Sequence, residues 1–287
     1  MLINRSTLGR VGIWARELRF DPDPSAIADA AAELEEHGWS ALWIPDAGGD
    51  IFGAVDVLLD ATRSVTIATG ILNIWMQDPE EVARESNARW ESGRFVLGLG
   101  ASHAALVEQY ARPYSAMREY LDALDAATPP VPDGARLLAA LGPKMVALSG
   151  DRAAGAHPYL VTTEHTRSAR EILGPDAVLA PELGVVLDGD VARGRERARE
   201  HVADYLELPN YANSMRRMGF TDDDLRDGGS DRLVDAVVAV GDEEAIRARV
   251  EEHLDAGADH VCIQVVGPMG QPLPRETWRQ LAPVLLG

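Results

Sequence analysis

Val65-Thr-Ile-Ala-Thr69-Gly-Ile-Leu-Asn-Ile-Trp-Met-Gln-Asp78-Pro79-Glu80-Glu81 opens with a short β-branched apolar run and ends in the start of a helix. Asp78 can accept from the first free backbone N–H groups of that helix. Pro79 suits its first position, and Glu80 and Glu81 sit where the helix dipole favours anions. A strand followed by a capped helix is the repeating unit of a parallel sheet. Eight short apolar runs, each followed by a segment able to be helical, continue the pattern: Val11–Trp14, Ala41–Ile44, Val65–Thr69, Phe95–Leu99, Arg136–Leu141, Gly155–Val161, Val178–Leu187 and His260–Val266. No Pro/Ser-rich linker separates them, so the chain reads as α/β, a single (β/α)8 TIM barrel domain over residues 1–287.

One segment breaks the rhythm. Leu206–Asp235 holds Pro209, Asn210, Asn213, Gly219, the acidic triplet Asp222–Asp224 and Gly228–Gly229. It reads as an insertion between the seventh and eighth units, either a lid or wall over a pocket at the strand ends or a solvated excursion with a helix or two. Loop insertions being common, the excursion is the reading adopted.

Over 287 residues, 27 Lys and Arg stand against 46 Asp and Glu, a net charge of −19 that repels phosphate backbones and anionic lipid headgroups. Neither nucleic acid nor a membrane is an expected partner. A single cysteine, Cys262, leaves no internal disulfide and no Cys-based metal centre, which fits a reducing compartment and makes the cytoplasm the expected location. No run approaches the roughly 18 apolar residues of a membrane span.

In a barrel the active site lies at the C-terminal ends of the strands, so the residues after each run are the candidates. Trp14, Ile71, Trp75 and Met76 with one carboxylate, Asp46, form a mouth suited to a flat, largely apolar small molecule. After the fourth run, Gly98-Leu99-Gly100-Ala101-Ser102-His103 offers a small-residue turn where backbone can approach a ligand. A dinucleotide fingerprint needs glycine where His103 stands, so a Rossmann half-domain is rejected, and no phosphate-binding loop of the Walker type occurs. His103 suits general acid or base work, while His157 and Tyr159 set two polar-tipped rings near a strand end. Gly142-Pro143-Lys144 begins a helix, a place where phosphate is readily held, and Thr162 and Thr163 open the next one. The other histidines, among them His165, His201 and His253, read as surface, and no spacing suggests a metal.

Taken together, these residues resemble the luciferase-like monooxygenase superfamily, and within it the oxidoreductases that use coenzyme F420, a deazaflavin. The carrying segments are Trp39–Asp46, Thr66–Leu72 with Asp78-Pro79 behind it, Arg94–Gly100, Ala140–Met145, and Val240–Glu244 leading into Asp255–Asp259. The resemblance implies a barrel whose mouth holds the flavin-like ring, its back face supported at Thr69, Gly70 and Ile71, where relatives have a cis non-prolyl peptide. It further implies cofactor contacts from Asp46, Gly100, Ala101, Ser102, Gly142, Pro143, Lys144 and His157, while Trp14, Trp75 and Tyr159, from their places at the strand ends, are the expected substrate contacts. One departure is that the sugar-phosphate dehydrogenases of this branch carry a catalytic histidine where this chain has Ala47, and an acidic residue where it has His103. By position, His103 takes the proton-handling role, with Asp46 beside it in catalysis.

The activity so implied is hydride transfer between the deazaflavin C5 and a small, largely apolar alcohol or ketone, or an activated C=C bond. Two alternatives stand beside it: an FMN-dependent luciferase-like monooxygenase, and a non-catalytic flavin-binding barrel. Relatives are often dimers, so the resemblance allows a homodimer.

Overall fold

A computed structural model describes residues 3, 5–102, 110–268 and 270–287. Among these residues eleven strands form one parallel sheet: β1 (Val11–Trp14), β2 (Ala41–Ile44), β3 (Thr66–Thr69), β4 (Leu72–Asn73), β5 (Phe95–Gly100), β6 (Arg136–Leu138), β7 (Gly155–Ala156), β8 (Val178–Leu179), β9 (Glu182–Leu187), β10 (Val238–Gly241) and β11 (Val261–Val265). Their order is β10-β9-β11-β1-β2-β3-β5-β6-β7-β8, with β4 also on β5. The path looks open, but β8 and β9 are separated only by Ala180-Pro181. This one kinked stretch pairs with β7 through Gly155↔Val178 and with β11 through Leu183↔Ile263. It therefore closes the curled sheet on itself, and the eight apolar runs of the sequence supply the eight staves of a TIM barrel.

Strands covered on both faces need no polar alternation, and β1, β2, β3 and β5 are buried at every position. Outer helices start as their sequences dictate. Asp78 accepts from the N–H groups of Glu80 and Glu81 at 3.0 and 3.1 Å to open Pro79–Trp90, and Asp23, Asp50, Asp190 and Asp242 cap four further helices. Between β3 and β5 the approach is so close that a side chain on Gly98 would overlap the Thr69 carbonyl oxygen. Thr69 bridges the two strands, its hydroxyl donating to the Gly98 oxygen and accepting from the Gly98 N–H, both at 2.8 Å.

The reading of Leu206–Asp235 as a solvated excursion is corrected. Helices Pro209–Arg217 and Asp231–Val237 and the connection between them bury Tyr211, Met215, Phe220, Leu233 and Val234 against Leu160, Val202 and Leu206 in a hydrophobic cluster of their own. Their apolar residues are spaced to fold back on the barrel, and loss of water-exposed apolar area favours that packing. A strand unforeseen in the sequence, β10, follows and pairs with the edge of β9 through Val238↔Gly184 to Gly241↔Leu187. Among the described residues no helix is long and apolar enough to cross a membrane.

Candidate functional site

A cavity of about 730 Å³ opens at the C-terminal ends of the strands. Trp14 ends β1, Asp46 and Ala47 follow β2, Gly70 and Ile71 follow β3, Ala101 and Ser102 follow β5, Gly142 follows β6, and His157 and Tyr159 follow β7; all border it. The Gly70–Ile71 peptide is cis. Trp14 Nε1 donates to the Gly70 oxygen at 2.6 Å, and a Cβ on residue 70 would come within 2.7 Å of that nitrogen, so only glycine lets indole and turn lie together.

Five other expected site residues stand back from the cavity wall. Thr69 ties β3 to β5 as described, and Gly100 is covered by the Ile71 side chain. Trp75 lies behind the wall, donating from Nε1 to the Ala101 oxygen at 2.6 Å, with its ring 5.8 Å from that of Tyr110. Pro143 and Lys144 are exposed on the first turn of helix Pro143–Arg152, whose N-cap Gly142 alone of the three faces the cavity. Met76, half exposed, lies outside the mouth. His103 falls outside the described residues.

Asp46 borders the cavity, but its carboxylate is enclosed and engaged. Oδ2 accepts from Gln77 Nε2 at 3.0 Å and from the Asn73 N–H at 3.3 Å. Oδ1 faces Arg19 and the Gly48 N–H, each at 3.4 Å. The Arg19 guanidinium also donates to the carbonyls of Pro45 and Gly48, so this ion pair fixes the turn after β2. Ion pairs out of water last only when their hydrogen-bonding capacity is met, and here it is met from three segments.

The opposite wall is aromatic. Tyr159 lies 5.5 Å from Trp14, 5.2 Å from Tyr205 and 6.3 Å from Tyr211 between ring centroids, and Tyr205 is 5.1 Å from Tyr211. Tyr159 donates its hydroxyl to Gln264 Oε1 at 2.7 Å and meets the Tyr205 hydroxyl at 2.9 Å. Burial pushes the phenol of Tyr205 up to about 12 and raises that of Tyr159 as well, so both are neutral donors at physiological pH. Beneath them Glu182 is fully buried. Its Oε2 accepts from the Leu160 N–H at 2.9 Å, its Oε1 has no partner among the described residues, and burial lifts its pKa to about 8.

Sequence reasoning missed Tyr205, Tyr211, Asn210, Arg217, Gln264 and Glu182. A signal existed for the first: Arg197, Glu200, His201, Asp204 and Tyr205 recur at three- and four-residue spacing on helix Val191–Leu206, and that face borders the cavity. The surface reading of three histidines is also corrected. His165 and His253 are buried, and His201 is part-buried at the cavity rim. Helix Thr163–Leu173 packs on Glu243–Asp255, putting Thr166 Oγ1 2.9 Å from His253 Nδ1, a contact between distant segments that local charge patterning hides.

Comparison with known proteins bears on the fold and the family. Residues 5–260 match the family model described as luciferase-like monooxygenase. Uncharacterized proteins of Mycobacterium bovis and Mycobacterium tuberculosis are 31% identical over 137 residues, a match spanning 43% of this chain and only 39% of theirs. A coenzyme F420 dependent tetrahydromethanopterin reductase from Methanopyrus kandleri superposes with a TM-score of 0.75 at 18% identity, covering 96% of this chain and 98% of that one. An F420-dependent secondary alcohol dehydrogenase in complex with an F420-acetone adduct gives 0.70 at 15% identity over the same shares. The oxygenating constituent of 3,6-diketocamphane monooxygenase from Pseudomonas putida, in complex with FMN, gives 0.63 at 14% identity, again over 96% and 98% of the two chains. At these identities the structural likenesses speak for the fold, and the family match over most of the chain shows that this protein belongs to the luciferase-like monooxygenases.

Proposed function

We propose that this protein is a coenzyme F420-dependent oxidoreductase acting on a small, largely apolar alcohol or ketone, or on an activated C=C bond. The observation that carries the reading is the character of the cavity: the rings of Trp14, Tyr159, Tyr205 and Tyr211, the Gly70–Ile71 turn, and the neutral hydrogen-bonding groups of Tyr159 and Gln264 line it, with charged residues such as Arg197, Glu200 and Asp204 also on its border. A flat tricycle and an apolar carbon centre suit such a lining better than a sugar or a polyphosphate does. The chain's residues also fit the ring in a specific respect, because His157 Nε2 is a buried polar atom that lacks a partner among the described residues.

Gly70, Ile71, Ala101, Ser102 and His157 would hold the ring. Gly142, with Arg217 across from it, would face its anionic side chain, and Pro143 and Lys144 stand exposed just outside the cavity on the same helix turn. When bound, the deazaflavin supplies a two-electron carrier that exchanges hydride with a substrate carbon. The protein's own part is to exclude water, to fix the reacting carbon against the aromatic wall and to handle one proton. Asp46, locked to Arg19 and Gln77, keeps the β2 turn in place. His103 is assigned the proton, leaving the substrate hydroxyl in oxidation and returning to it in reduction.

The test is a binding titration with coenzyme F420 and, in parallel, FMN, followed by fluorescence and thermal stabilisation. Binding of the deazaflavin, with turnover of secondary alcohols or enones, supports the reading. Preference for FMN moves it to a monooxygenase, and binding of neither sinks both. In the active protein His103→Ala is expected to lower turnover roughly 10²–10⁴-fold, the usual worth of a positioned acid–base group; unchanged turnover removes His103 from the mechanism.

A further inference from the structure

His157 is only 1% exposed, yet it borders the cavity. Its ring is held in one orientation by two contacts. It stacks on the Trp43 indole with centroids 4.3 Å apart and planes 15° from parallel, and Nδ1 lies 2.7 Å from the Ala180 carbonyl oxygen. A carbonyl only accepts, so Nδ1 carries the proton and Nε2 presents a bare lone pair. That lone pair has no partner among the described residues.

The polar groups around it are committed elsewhere. The Tyr159 hydroxyl donates to Gln264, Trp43 Nε1 donates to His260 Nε2 at 3.2 Å, and the Cys262 thiol, 3.9 Å from Nδ1, is directed at the Pro181 oxygen. Turning the ring away would break both the bond to Ala180 and the stack on Trp43. A buried acceptor left unpaired is unfavourable and is seldom retained without a use.

We propose that His157 Nε2 is the acceptor for an N–H or O–H group of the molecule bound in this cavity, whether that donor is on the ring cofactor or is the substrate hydroxyl. The inference deepens the functional reading above and rests on it for the choice of ligands. Burial holds the imidazole near pKa 4, so it stays neutral in ordinary buffers and orients the donor without taking its proton. His157 is in this sense a positioning residue.

The experiment uses the whole protein labelled with 15N-histidine, titrated with coenzyme F420 or FMN, each with and without 2-propanol or cyclohexanol, while fluorescence reports binding. The Nε2 resonance of His157, assigned by its loss in His157→Asn, is expected to move upfield, as an unprotonated ring nitrogen does on accepting a hydrogen bond. A shift with the cofactor alone places the donor on the cofactor; a shift only with the alcohol places it on the substrate. His157→Asn keeps a donor near Ala180 and withdraws the acceptor, and should weaken donor-bearing ligands about tenfold, equivalent to about 1.4 kcal/mol. His157→Gln, whose amide reaches the Nε2 position, should restore most of that affinity. If F420 binds and the resonance stays still with and without alcohol, the proposal fails and the cofactor reading survives. If FMN alone binds and the resonance moves, the cofactor reading fails and the proposal survives. Should nothing bind or shift, both are overturned.

Discussion

Glu182 shows how much one side chain can decide. It stands inside the apolar run Val178–Leu187, where a carboxylate has no water, and burial lifts its pKa from the ordinary 4.5 to about 8. The unfolded chain releases this proton near pH 4.5 and the folded chain keeps it until about pH 8. The group's contribution is therefore complete at low pH and drains away as pH rises through that interval. Glu182→Gln removes the titration while keeping an acceptor for the Leu160 N–H. The variant's melting temperature relative to wild type should climb between pH 5 and pH 8, by about 2–4 °C for each kcal/mol recovered. Parallel melting curves across that range would contradict the buried, neutral acid. In the sequence, a lone Glu in an otherwise apolar run is visible, but its lack of a cation partner among the described residues is a fact of the third dimension. The same holds for His253, whose neighbour Thr166 lies 87 positions away along the chain.

Elements were easier to read than side chains, because capping and period are local. Asp78-Pro79-Glu80-Glu81 announces helix Pro79–Trp90, and the structure shows the capping bonds that the spacing predicts. Asp78→Ala should cost on the order of 1 kcal/mol of stability, read from urea denaturation. Since this helix lies on the outer ring and contributes nothing to the cavity wall among the described residues, flavin affinity should be unchanged; a large loss of affinity would mean that the helix reaches the site after all. The segment 206–235 was misjudged for the opposite reason. Its glycines, prolines and acidic triplet are local signals of a loop, whereas Tyr211, Met215 and Phe220 act through distant partners such as Leu160. β10 escaped notice likewise: its four residues become a strand because β9 offers a free edge.

At the scale of the whole molecule, the alternation of apolar runs with helical segments was enough for the barrel, since eight strands of a closed parallel sheet must be buried on both sides. The field of the molecule was legible too. Arg16, Arg197 and Arg217 border the cavity alongside Glu17, Asp46, Glu200 and Asp204, so the opening does not reverse the overall charge of −19. An anionic cofactor should then bind more tightly as salt rises from about 10 to 100 mM, where the screening length falls from about 30 to 10 Å. Weaker binding with added salt would instead mean that Arg217 and Lys144 create a local basic patch.

The closing stave has a temporal consequence. Val11 pairs with Val261, so one edge of β1 has no partner until 250 further residues have been made. At about 5–20 residues per second, the emerging chain carries an open strand edge for roughly 10–50 s. Edges of that kind invite pairing with other chains. During synthesis the protein thus depends on the first staves being shielded, by its own helices or by chaperones, and substitutions that speed early helix docking should raise soluble yield even where they leave the finished barrel no more stable.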